Sequence, residues 1–119
     1  MSLTMDELEQ IYQRGFELRC EGRYGEARAQ LQQILAKDPG HIRAKHQMGL
    51  IQGFEGDFDG SLETLQSLTL IAPRNVDILY DLAMTQMMLG LQDEACANFR
   101  QILAIEPSYD KAAKQLVYC

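Results

Sequence analysis

The only prolines of this chain, Pro39, Pro73 and Pro107, stand 34 residues apart. A fixed period of that length marks a repeated supersecondary unit and narrows the fold before any local propensity is weighed. Other columns keep the same period. Gly15, Gly49 and Ala83 form a column of small residues, Gly22, Gly56 and Gly90 one of glycines, and Ala27, Ser61 and Ala95 a second small one. Leu31, Leu65 and Phe99 are large and apolar, as are Ile34, Leu68 and Ile102.

Each unit reads as two helices. Ile78, Leu79, Leu82, Ala83 and Met87 follow helical spacing, and Gly90 then interrupts them. A second helical stretch carries Ala95, Phe99, Ile102 and Leu103 up to Pro107. Proline ends it because it lacks the N–H a continuing helix needs and disfavours helix at the residue before it. The glycine permits the sharp turn between the helices. The small columns are expected to face each other, since two helix backbones approach closely only where no bulky side chain intervenes. At the start of the chain Thr4 and Glu7 have the spacing of a capping box, just before Leu8, Ile11 and Tyr12. No strand is read anywhere.

These units resemble the tetratricopeptide repeat, a helix–turn–helix module with a W-x2-L-G-x2-Y…A-x3-F…P pattern. The resemblance covers residues 8–41, 42–75 and 76–109. Unit one matches through Gly15, Leu18, Ala27, Leu31 and Pro39, unit two through Met48, Gly49, Leu65 and Pro73, and unit three through Leu82, Ala83, Ala95, Phe99 and Pro107. No unit carries the family tryptophan, Lys45 taking its place in unit two, and Arg14 stands where unit one should have leucine. Gln52 and Gln86 replace a usual tyrosine, which implies looser packing between units there. The resemblance implies an all-α fold, a single domain over residues 1–119: a solenoid of three repeats plus a short closing helix over 110–119. Ala112, Ala113, Leu116 and Val117 are expected to supply that helix's apolar face. Either the chain is a segment of a longer repeat protein, or its incompletely capped ends pair with another copy into a homo-oligomer.

A net charge of −6 disfavours a nucleic-acid partner, which would demand neutralisation of phosphates. The charge is uneven. Residues 8–41 balance five bases against five acids, whereas residues 76–109 set Arg100 alone against five acids. No stretch approaches the length of apolar residues that spans a membrane, and no apolar run after a basic start marks a secretory leader. The three cysteines, Cys20, Cys96 and Cys119, form no CxxC pair, and an odd count closes no disulfide framework. A reducing, cytoplasmic setting is expected, with Cys96 inert between helices and Cys119 prone only to bonding between molecules.

Little in the sequence points to catalysis. His41 and His46 lack HExxH spacing. His46 and Cys20 make at most a pair, short of the ligands zinc needs, and Asp57, Asp59 and Glu63 do not follow a calcium-loop series. No catalytic residue, metal or cofactor is therefore expected. In the family the first helix of each unit lines a concave groove where ligands bind. Carried onto this chain, the resemblance puts Tyr12, Phe16, Arg19, Arg43, His46, Leu50, Phe54, Tyr80 and Met84 in that groove. Members that bind chaperone tails hold a terminal carboxylate in a clamp of Lys, Asn and Arg. Here Phe16, Leu50 and Met84 occupy the Asn places and Tyr12, His46 and Tyr80 the Lys places, so that clamp is absent. The expectation is a non-catalytic interaction module, taking a protein or peptide segment in an apolar, aromatic and Met-rich groove. Two alternatives stay open: a regulatory or targeting segment of a larger enzyme such as a glycosyltransferase, and a self-associating scaffold.

Overall fold

The computed structural model describes residues 3–119. Among these residues seven α-helices follow one another: α1 (Met5–Cys20), α2 (Tyr24–Lys37), α3 (Ile42–Phe54), α4 (Phe58–Ile71), α5 (Val76–Met88), α6 (Gln92–Ile105) and α7 (Asp110–Gln115). A 3-10 turn, Leu116–Tyr118, follows them. There is no strand among the described residues. Each proline lies two residues beyond a helix end, after α2, α4 and α6.

The glycine column makes the turns. Gly22, Gly56 and Gly90 have φ of 78°, 91° and 78°, the left-handed region that side chains with a Cβ rarely adopt. Residues just past each glycine reach back to the preceding helix: the Arg23, Asp57 and Leu91 amides each donate at 2.8 Å to Leu18, Gln52 and Gln86 carbonyls. That bond closes the helix end as a Schellman motif does. Helix starts are satisfied as well. The Glu7 amide donates to Thr4 Oγ1 at 3.1 Å and the Thr4 amide to Glu7 Oε1 at 3.3 Å, completing the capping box. The α3 and α5 starts are capped from one column 34 residues apart. His41 Nδ1 accepts from the Ala44 amide at 3.0 Å, and Asn75 Oδ1 from the Ile78 amide at 3.1 Å.

The helices form two compact parts, one ending at Asp57 and the other beginning at Phe58. In the first, α1 packs on α2 and α2 on α3, around Tyr12, Leu18, Ala27, Leu31, Ile34, Ala44 and Ile51. Gly15 has no room to grow, because a Cβ there would meet Leu31 Cδ2 at 3.1 Å. In the second, α5 packs on α4 and on α6, and α7 on α6; Leu79, Ala83, Ala95, Phe99, Ile102 and Ala112 make its core. Ala95 is wholly buried there. Ala95→Leu is therefore expected to overpack this core and cost about 1–3 kcal/mol, read as a lower midpoint in thermal unfolding. An unchanged midpoint would place Ala95 outside a helix–helix contact. Gln86 is buried as well, and its Oε1 accepts from Asn98 Nδ2 at 2.7 Å, tying α5 to α6.

The tail departs from expectation. The α-helix runs only from Asp110 to Gln115, and the tighter 3-10 turn after it changes which side chains face inward. Ala112 is buried and Leu116 half-buried, but Ala113 is exposed and Val117 is 78% exposed. The tail also bends back beside α6. Gln92 Nε2 donates to the Tyr118 carbonyl at 2.5 Å, and Cys119 is disulfide-bonded to Cys96 across a Cα–Cα distance of 5.9 Å. The expectation of unpaired thiols is thus overturned, and with it the argument for a reducing compartment. An odd cysteine count excludes complete pairing, not a single pair. Cys20 is the free, exposed thiol.

Candidate functional site

On α1, Tyr12, Phe16 and Arg19 follow one another at i, i+4 and i+7 and so share a face. On α3, Arg43, Gln47 and Phe54 do the same over three turns. The two faces meet through side chains. Arg43 donates bidentately to Glu9, at 2.8 and 3.2 Å, and its guanidinium carbon lies 3.9 Å from the centre of the Tyr12 ring. Glu9 and Arg43 are 34 residues apart, so the pair joins equivalent positions of consecutive repeats. The Arg43 guanidinium, and after it the Gln13 amide, hold the Glu9 carboxyl below the usual carboxylate range.

Gln47 is the hub of this arrangement. Its side chain is buried; Oε1 accepts from Arg19 Nε at 2.6 Å and Nε2 donates to the Tyr12 hydroxyl at 3.4 Å. Arg19 is thereby fixed between two rings, its guanidinium carbon 5.0 Å from the centre of Phe16 and 5.9 Å from that of Phe54. Cation–π contacts of this kind hold an arginine without using its terminal N–H groups. Phe54 also stacks on Tyr24, with ring centres 5.6 Å apart. Phe16 and Phe54 nonetheless stay 37% and 55% exposed, which marks them off from the core.

The remaining groove positions are placed variously. Tyr12 is only 7% exposed and belongs to the first core, with its ring also 6.2 Å from that of His41. Arg43 is exposed, and His46 and Leu50 are half-buried on α3. In the second part Tyr80 and Met84 are half-buried against the core. The Tyr80 ring packs on Phe99 and Tyr109, at 6.1 and 5.8 Å, and Lys111 Nζ sits 5.8 Å from its centre. Tyr109 donates its hydroxyl to Asp77 at 2.9 Å; burial first, and that bond second, push its pKa well above the ordinary phenol value. Neither Gln47 nor Glu9 stands out in the sequence as a site residue. The repeat period could have flagged the Glu9–Arg43 pair, but no local signal announces that the Gln47 amide is buried.

Among the described residues no three His, Cys, Asp or Glu side chains gather as a metal ion would require. No described helix is long and apolar enough to cross a membrane.

Helix–turn–helix units with left-handed glycine turns have the fold of a tetratricopeptide-type helical repeat. Residues 77–109 match the tetratricopeptide repeat family model, a span that falls within the third unit read from the prolines. Solved structures agree on the fold over nearly the whole length. PcrH from Pseudomonas aeruginosa superposes with a TM-score of 0.86 at 21% identity, covering 98% of this chain and 94% of that one. The type III secretion translocator chaperone SycD from Yersinia enterocolitica superposes with a TM-score of 0.84 at 18% identity, covering 98% and 92%. A second structure of PcrH, in complex with the chaperone binding region of PopB, gives 0.81 at 22% identity over 98% and 97%. No curated protein matches by sequence.

Proposed function

We propose that this chain is a non-catalytic interaction module that holds a segment of another protein against the α1–α3 face. The observation that carries this reading is the pair of exposed rings, Phe16 and Phe54, kept on either side of a fixed arginine. Apolar and aromatic side chains held rigidly at a surface act as anchors, and a few of them supply most of the binding energy. The fold supports the reading by analogy, since PcrH has been crystallised with the chaperone binding region of PopB. Within the face, Arg43 binds Glu9, and Gln47 binds both Arg19 and the Tyr12 hydroxyl.

The test begins with selection of binders to the full chain from a displayed library of random peptides. A selected peptide is then titrated into variants whose folding is checked by circular dichroism. Phe16→Ala and Phe54→Ala are expected to weaken binding by about 1–2 kcal/mol each. Arg23→Ala, at the α1–α2 turn with Glu21 and Glu26, is expected to leave it nearly unchanged. Folded phenylalanine variants that bind like the parent would refute the α1–α3 face as the binding surface.

A further inference from the structure

Four of the five arginines in the part ending at Asp57 are matched with glutamates. Arg14 pairs with Glu17, Arg23 with Glu21 and Glu26, Arg28 with Glu55, and Arg43 with Glu9. Arg19 is the exception: among the described residues no carboxylate lies in ion-pair range of it. A hydrogen bond runs from its Nε to the buried Gln47 amide, a neutral acceptor. The two terminal nitrogens, which form the fork that matches a carboxylate, are not used by that bond. Gln47 and the two rings hold the fork in place before any ligand arrives, and such pre-organisation lowers the entropy lost on binding.

We propose that Arg19 is the specificity-determining residue of this face. It takes the side-chain carboxylate of an aspartate or glutamate in the bound segment, while neighbouring apolar side chains of that segment rest on Phe16 and Phe54. The proposal rests on the interaction reading above and names its ligand: an acidic residue adjacent to an apolar one within a peptide. The residues differ from those of the terminal-carboxylate clamp, whose places hold Phe16, Leu50 and Met84 and Tyr12, His46 and Tyr80. Charge complementarity selects this occupant. A planar, permanent cation partly shielded by phenyl rings favours a carboxylate over a neutral amide, and bidentate pairing adds geometric selection.

The experiment uses the full chain and peptides selected from the displayed random library, each made also with its acidic residue replaced by the amide. Selected peptides are expected to carry Asp or Glu next to an apolar residue. The amide version is expected to bind the parent chain about tenfold more weakly or worse. Against Arg19→Met the two versions are expected to bind alike, and Arg19→Lys is expected to restore only part of the difference. Raising salt is expected to narrow the gap on the parent chain. The peptide-side change needs no altered protein, so misfolding of an Arg19 variant leaves the comparison intact. Equal binding of acid and amide versions to the parent overturns the proposal, and peptides still sensitive to Phe16→Ala would leave the interaction reading standing. Peptides insensitive to Phe16→Ala and Phe54→Ala, or a library yielding no binder, overturn both.

Discussion

Phe99→Ala is expected to remove a large share of the stability that the core around α6 supplies. Phe99 is completely buried between Leu79, Ala83, Ala95, Ile102 and Ala112, with the Tyr80 ring tilted against it. Truncation forfeits the transfer energy of the ring and leaves a cavity that helices α5 and α6, tied by the Gln86–Asn98 bond, cannot fully close. Such changes cost about 3–5 kcal/mol. For a small domain that is a large share of the whole, since net stability is of the order of 5–15 kcal/mol. Chemical denaturation followed by circular dichroism checks the expectation. A loss below about 1 kcal/mol would mean that the core around α6 is looser than its burial indicates.

The second large effect concerns the tail. The oxidised chain is expected to show one reactive thiol, Cys20, and three after reduction in denaturant. Cys96 and Cys119 are 23 residues apart, and a loop of that length lowers the entropy of the unfolded chain enough to contribute about 3 kcal/mol. Reduction, or Cys119→Ser, is expected to lower the thermal midpoint by about 10 °C. The serine variant should show no further change on reduction. Three reactive thiols in the native, unreduced chain would show that the bond does not form.

These two cases mark what the sequence makes legible and what it does not. Proline, glycine and the capping pair act within a few residues, so Pro39, Gly22 and Thr4 announce helix ends directly. Ala95 and Phe99 can be read as core because their character recurs at the repeat period. The tail obeys no repeat. Whether residues 116–118 continue an α-helix depends on where the chain meets α6, and Cys119 finds Cys96 only once that path is set. The candidate site divides in the same way. Phe16, Arg19, Arg43 and Phe54 can be listed from family resemblance, but the list does not distinguish an exposed ring from a covered one. Tyr12 and Tyr80 look like equivalent anchors in sequence; packing buries the first and lays the second on Phe99. Gln47 is an unremarkable amide on a helix until the fold closes it between Arg19 and Tyr12.

Within each compact part, helices adjacent in the chain pack on one another, and the turns between paired helices are set by a glycine with positive φ. This arrangement governs how the native state is reached. Loops that must close are short, so little chain entropy is lost before the first contacts reward it. Chains with such local contacts cross a low barrier and fold in microseconds to milliseconds. A helix pair emerging early from the ribosome therefore has its partner already at hand, and exposed rings such as Phe16 and Phe54 wait only briefly beside unfolded chain.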